Sequence, residues 1–248
     1  MTQANLKSAE DEIGYDEDVV TQVRLRGPLE VGQWPENLRA RVVQSGALPH
    51  VLGYDVEQDL ARYYGWLDVL FLSLTGELPS AAVSSALNVV SVFLTPVSAA
   101  TASSHAAVLA RLCGASPGAT LGVAAIALGE WSRQVIDSHL TLLNWCKSKD
   151  QEPPIQFCST DGVERASVER LRQALVATGL IVPELDVNWS RNAALIVVLY
   201  ACGFREPSQL EVLLTTLRMP CVLAEAMSQR IAEFSEYPIH LPRFEFEE

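Results

Sequence analysis

In the stretch AIALGEWSRQVIDSH, residues 125–139, an apolar helical run gives way to Glu130, Trp131 and Arg133. Two chemistries suit these residue types. A carboxylate moves protons, whereas a guanidinium, protonated up to about pH 12, stabilises an anion but shuttles no proton. The spacing adds a plainer reading, because Glu130, Arg133 and Asp137 stand at i, i+3 and i+7 on one face of a continuing helix, as an acid–base–acid ladder. His50, His105, His139 and His240 have no spacing that suggests a metal site or a catalytic triad. No metal is expected. The five cysteines, Cys113, Cys146, Cys158, Cys202 and Cys221, are widely separated and lack a C-x-x-C pair, which points to reduced thiols and a cytoplasmic location.

These residues belong to a chain of 248 residues with 49% hydrophobic composition and a mean hydropathy of +0.16, enough to bury a substantial core. A formal charge of −12 and a pI near 4.8 leave no basic stripe for phosphate backbones or anionic lipid, so a small soluble ligand is expected rather than nucleic acid or membrane. The longest apolar runs, LGVAAIALG and AALIVVLYACGF, are shorter than the roughly 20 residues that span a bilayer. The acidic start, MTQANLKSAEDEIGYDEDVV, does not read as a signal peptide.

Residues 1–19 read as a flexible acidic tail. Between Thr21 and Tyr54, short segments punctuated by Gly27-Pro28, Gly32 and Pro35 suit brief strands or an extended arm. Apolar positions then recur at three- and four-residue steps, so the class is mostly α. Helices are expected over DLARYYGWLDVLFLSL, LPSAAVSSALNVVSVFL, SAATASSHAAVLARLCG and SPGATLGVAAIALGEW, followed by a separate one from about Gln134 to Lys147. The prolines, charges and Asp-Gly pair of KSKDQEPPIQFCSTDG mark a loop and a boundary, giving a large helical domain of 20–147 and 205–248 around a small one of 148–204. Within the latter, ERASVERLRQALVATGL and RNAALIVVLYACG are helical; PSQLEVLLTTLR and PCVLAEAMSQRIAEF follow as two helices, before an extended arm, YPIHLPRFEFEE. The Ala-, Gly- and Ser-rich helices at 98–114 and 117–130 imply a closely packed pair.

The order GELPS, TASSHAAVLARLCGASPGATLGVAAIALGE, LYACGF, EPSQLEVLLTTLR, AEAMSQ and YPIHLPRFE resembles the citrate synthase superfamily, in particular its short citryl-CoA lyase-like branch. The resemblance runs collinearly from about Gly53 to Glu248. It implies an all-α, citrate synthase-like protein with a large and a smaller helical domain that pairs as a homodimer, or as a heterodimer with an active relative. It also implies carbon–carbon bond making or breaking between an acyl-coenzyme A and an oxo-acid, with a coenzyme A thioester as ligand. That chemistry needs a carboxylate base, a histidine for the enolate and a histidine for the keto group.

Carried over position by position, the resemblance puts Arg133 where the family's enolate histidine stands, and Val97 where another histidine precedes the SSHAAVLAR helix. The keto-polarising loop becomes IQFCSTDGVERAS, in which Asp161 offers a carboxylate and Arg165 corresponds to an arginine that contacts substrate. The base falls on Asn192 in one register and Asn188 in the other, and an amide has no basic lone pair at neutral pH. Arg218 matches an arginine that grips a substrate carboxylate, and Pro220 is expected to open the next helix, placing Arg218 beside a helix N-terminus that favours anions. His105 matches a histidine of the ATP-citrate lyases; the arginine that relatives contribute across the dimer is Leu241 here, with Arg243 two residues on.

Two functions remain open on these residues. One is an enzyme with a rebuilt site, in which Arg218 and Arg133 clamp a carboxylate or acyl-thioester and Glu130, Asp161 or His139 replaces the acid/base. The other is a catalytically silent binding or regulatory subunit, since losing groups that act as a unit leaves little chemistry.

Overall fold

The computed structural model describes residues 40–44, 46, 48–149 and 152–231. The expected acidic tail at 1–19, most of the expected arm at 21–39, and the C-terminal arm with Leu241 and Arg243 lie outside them. The elements below belong to the compact unit spanning 42–248.

Three two-residue strands, β1 (Val43–Gln44), β2 (His50–Val51) and β3 (Tyr54–Asp55), form an antiparallel sheet in that order. Val51 pairs with both Val43 and Tyr54. The turn between β2 and β3 places Leu52 and Gly53 at φ of 51° and 89°. A π-helical turn, Val56–Leu60, continues into a single α-turn, Ala61–Tyr63.

Among the described residues eight longer helices follow, and most begin where a side-chain oxygen meets a free backbone N–H. Asp68 accepts from Gly65 N–H at 2.8 Å to open α1 (Trp66–Thr75), which stops at left-handed Gly76. Ser80 caps α2 (Ala81–Leu94), and α3 (Ala102–Leu112) ends before left-handed Gly114. Ser116 with Pro117 at the first helical position opens α4 (Pro117–Ser138). Then come α5 (Leu140–Ser148), α6 (Gly162–Val176), α7 (Arg191–Cys202) and α8 (Pro207–Ser228). Asp161 caps α6 and Ser190 caps α7.

Several boundaries differ from the sequence expectation. The single helix expected over DLARYYGWLDVLFLSL is interrupted at Tyr64 and Gly65, and the last helix stops at Ser228, short of Phe234. Two further differences lie near the candidate site. The expected break near residues 131–133 does not exist: α4 runs unbroken to Ser138, and the chain bends at His139, whose N–H bonds to Ile136 O. Buried Thr120, Ala124, Leu128, Ser132 and Ile136 repeat every four residues, so one packed face carries the helix through the polar stretch. The second difference is Pro220, which opens no helix and lies inside α8. Proline there removes a backbone donor, but Val222 and Ala226 beyond it are fully buried, and that packing outweighs the local cost.

The helices enclose two apolar cores. The first surrounds α7, buried at every position from Ala193 to Leu199, and takes Phe71, Leu94, Ile136, Leu142, Leu171 and Leu214 from six other helices. The second joins α3, α4 and α8 through Ala107, Val108, Ala124, Leu128, Val222 and Ala226. Helices α4 and α8 contribute to both, so their middles form the junction.

Candidate functional site

At that junction the sequence places Trp131 on α4 and Arg218 on α8. Arg218 follows Leu217, the last α8 residue of the first core, and precedes Val222 of the second. One turn earlier, Thr215 Oγ1 donates to the fully buried Ser132 Oγ at 3.0 Å, fixing the register of the two helices beside the pair. The Arg218 guanidinium lies over the Trp131 ring, 3.8 Å from its centroid, in cation–π geometry.

The surroundings leave this cation poorly compensated. Arg218 Nε is buried and has no hydrogen-bond acceptor. Burial, and after it the like charge of Arg191, pulls the guanidinium's pKa down to about 10. Arg191, the first residue of α7, donates from Nη2 to Phe93 O at 2.8 Å, at the end of α2. Among the described residues, no carboxylate pairs with either arginine. Asn192 joins Arg218 and Trp131 in lining a cavity of about 10 Å³, closed otherwise by apolar side chains including Leu94, Ile196 and Leu214. That space holds one water at most. The Arg218 guanidinium, an amide and an indole line it, with Arg191 close enough to add a like charge; such groups can bind an anion and cannot act as a general base.

The remaining sequence-derived positions are dispersed. Arg133 points to solvent, with Nη2 and Nε on Glu130 at 2.6 and 3.1 Å and Nη1 on Asp137 at 2.9 Å. This is the helical ladder that the spacing suggested, and with Arg133 half exposed it does not share Arg218's cavity. The hydrogen bonds from Arg133 and Gln134 hold the Glu130 carboxyl below the usual carboxylate range, which makes it a weaker base. His139 bends the chain at the end of α4 and stacks on Phe157 with centroids 4.9 Å apart. Half-buried His105 lies on α3, outside the cavity lining.

Asp161 accepts from Val163 N–H at 2.7 Å as the α6 cap, and Arg165 stands on the first turn of that helix. Arg165 and Asn188 share a separate, open cleft of about 440 Å³ that also contains Arg172, held by Glu169 and Asp186. The backbone ties this cleft together, since Ser159 N–H bonds to Asn188 O and Ser190 N–H to Phe157 O. The two registers of the amide therefore lead to different cavities, Asn188 to the cleft and Asn192 to Arg218.

The helix start expected beside Arg218 at Pro220 is replaced by that of α7, through Arg191 and Asn192. Sequence reasoning missed Arg191 and Trp131 as partners of Arg218. The signal available was Ser190 as a helix cap with a cation directly after it.

No protein-family model and no curated protein sequence matches the chain. Solved structures do match its shape. The citryl-CoA lyase from Hydrogenobacter thermophilus superposes with a TM-score of 0.58 at 15% identity, over 83% of this chain and 97% of that one. The ATP citrate lyase of Methanosaeta concilii, a mutant in complex with (3S)-citryl-CoA, gives 0.57 at 15% identity over 87% of this chain. That from Methanothrix soehngenii, in complex with citrate and coenzyme A, gives 0.53 at 12% identity over 92%. The chain spans 41% and 44% of those two ATP citrate lyases. At these identities the likeness is one of fold, and the expectation for it holds: the chain has the helical fold of the citryl-CoA lyases.

Proposed function

We propose that this protein binds a small carboxylate or acyl-thioester ligand at Arg218 and Arg191 and acts in carbon–carbon bond making or breaking of the citryl-CoA lyase type, with a coenzyme A thioester as partner molecule. The observation that carries the reading is the buried, acceptor-less Nε of Arg218 over Trp131, beside Asn192, with no carboxylate paired to it among the described residues and the like charge of Arg191 within electrostatic reach. Like charges so placed are stabilised by an anion. The lining contains neither carboxylate nor imidazole, so a proton carrier has to come from outside this set of side chains. The cavity's size requires the Arg218–Trp131 stack to open as ligand enters.

The experiment is titration of the full-length chain with citrate and with citryl-CoA, followed by Trp131 fluorescence and calorimetry, alongside a thiol-release assay on citryl-CoA. Binding that weakens at least tenfold in Arg191→Gln supports the site; equal binding in that variant overturns it. Released coenzyme A separates an enzyme from a binding subunit.

For assembly, the proposal is a homodimer through the outer face of α4. There Ile126 is 78% exposed, and a Cβ added to Gly118 or Gly122 would meet nothing within 4 Å, so a second helix can approach closely. Native mass spectrometry reads the stoichiometry directly. No helix among the described residues is long and apolar enough to cross a membrane. The five free thiols support a cytoplasmic location.

A further inference from the structure

Beyond the Arg218 site, the opposite end of α7 borders a third cavity, of about 470 Å³. Among the described residues, its charged lining is Lys147 and Lys149 at the end of α5, Arg205 just after α7, and Glu184, so cations outnumber anions three to one there in a chain whose net charge is −12. The same lining also contains apolar Ile181, Pro183 and Val197 and the ring of Tyr200. Arg205 already lies over the Tyr200 ring, 4.2 Å from its centroid. The volume is that of an ordinary small-molecule site.

Cations at helix C-termini are favoured by the helix dipole alone, and that accounts for Lys147. It does not account for the backbone of Lys149, which has φ of 53° at the α5 C-cap, a position where glycine or asparagine is less strained. Its ammonium pairs with Glu184, which also lines the cavity. A strained position that carries a charge into a cavity is the pattern expected where function opposes local stability. The Cys146 thiol also borders the cavity, but burial pushes its pKa up to about 11, so it stays protonated and contributes no nucleophile.

We infer that this cavity binds an organic phosphate, its phosphates held by Lys147, Lys149 and Arg205 and its apolar or aromatic body lying against Ile181, Pro183 and Val197. The site is independent of the one at Arg218, being built from different residues at the other end of α7.

Calorimetric titration of the full-length chain with ADP, adenosine and inorganic phosphate tests it. ADP binding at least tenfold tighter than phosphate, with no binding of adenosine, supports a site that needs both head and body; phosphate binding as tightly as ADP overturns it. Arg205→Gln is expected to weaken ADP at least tenfold. Lys149→Gly is expected to weaken ADP equally while raising the melting temperature, because the left-handed position is relieved; a lower melting temperature would make the lysine a structural strut and overturn the inference. Arg218→Met is expected to leave ADP affinity unchanged, and loss of binding in that variant would place the ligand elsewhere.

Discussion

Replacing Arg218 by methionine tests whether the buried guanidinium is held there against the stability of the fold. Its pKa falls to about 10, chiefly by burial. A fall of about 2.5 pH units from 12.5 at about 1.4 kcal/mol each sets a ceiling of about 3.5 kcal/mol on the cost to the folded state. Solvent contact on this half-buried side chain screens that to about 1–2 kcal/mol. The Trp131 stack returns about 0.5–1 kcal/mol. Methionine fills similar space, keeps a favourable sulfur–ring contact and removes the acceptor-less Nε. Arg218→Met is therefore expected to stabilise the protein by about 0.5–1.5 kcal/mol, or roughly 1–5 °C in melting temperature for a chain of this size. The sign with pH follows from the direction of the shift. A cation with a depressed folded pKa destabilises the fold throughout the range below about pH 10, and the cost is relieved only above it, so the gain should be constant between about pH 6 and 8. Urea denaturation with an unchanged m-value is the assay. Destabilisation by more than about 1 kcal/mol would refute the reasoning and make Arg218 a structural residue.

Other substitutions separate site from scaffold. Arg133→Ala should change stability by no more than about 0.5 kcal/mol and leave citrate and citryl-CoA binding intact, as expected of an exposed ladder on Glu130 and Asp137; a binding loss like that of Arg191→Gln would place Arg133 in the site. Gly203→Ala should cost about 1–3 kcal/mol in urea denaturation, because φ is 123° and the new Cβ would lie 3.2 Å from Phe71 Cζ in the first core.

Much of the fold was legible because it rests on local chemistry. Ser80 and Ser116-Pro117 cap the helices they were expected to open, since a side-chain oxygen satisfies an N–H two or three residues ahead, and Asp161 and Ser190, which were not read as caps, do the same for α6 and α7. The ladder at Glu130, Arg133 and Asp137 was also readable, from helical spacing alone. The helix ends at residues 131–133 and at Pro220 were misread for a common reason. Polar residues and a proline are local signals to stop, but Ser132 and Ile136 on α4, and Val222 and Ala226 on α8, are buried by distant helices.

The site divides in the same way. From the sequence, the family resemblance aligned Arg133, Val97 and either Asn192 or Asn188 with the family's acid/base groups, and offered Arg218 as a candidate for gripping an anion. Which residues stand with Arg218 was decided by the tertiary structure. Trp131 on α4 and Asn192 on α7 meet it in one cavity because α4 and α8 each contribute to both cores beside the N-terminus of α7, where Arg191 adds a like charge. Spacing encodes only neighbours a turn or two apart, whereas the burial of Arg218 Nε without a hydrogen-bond partner among the described residues exists only once segments distant in sequence have packed around it.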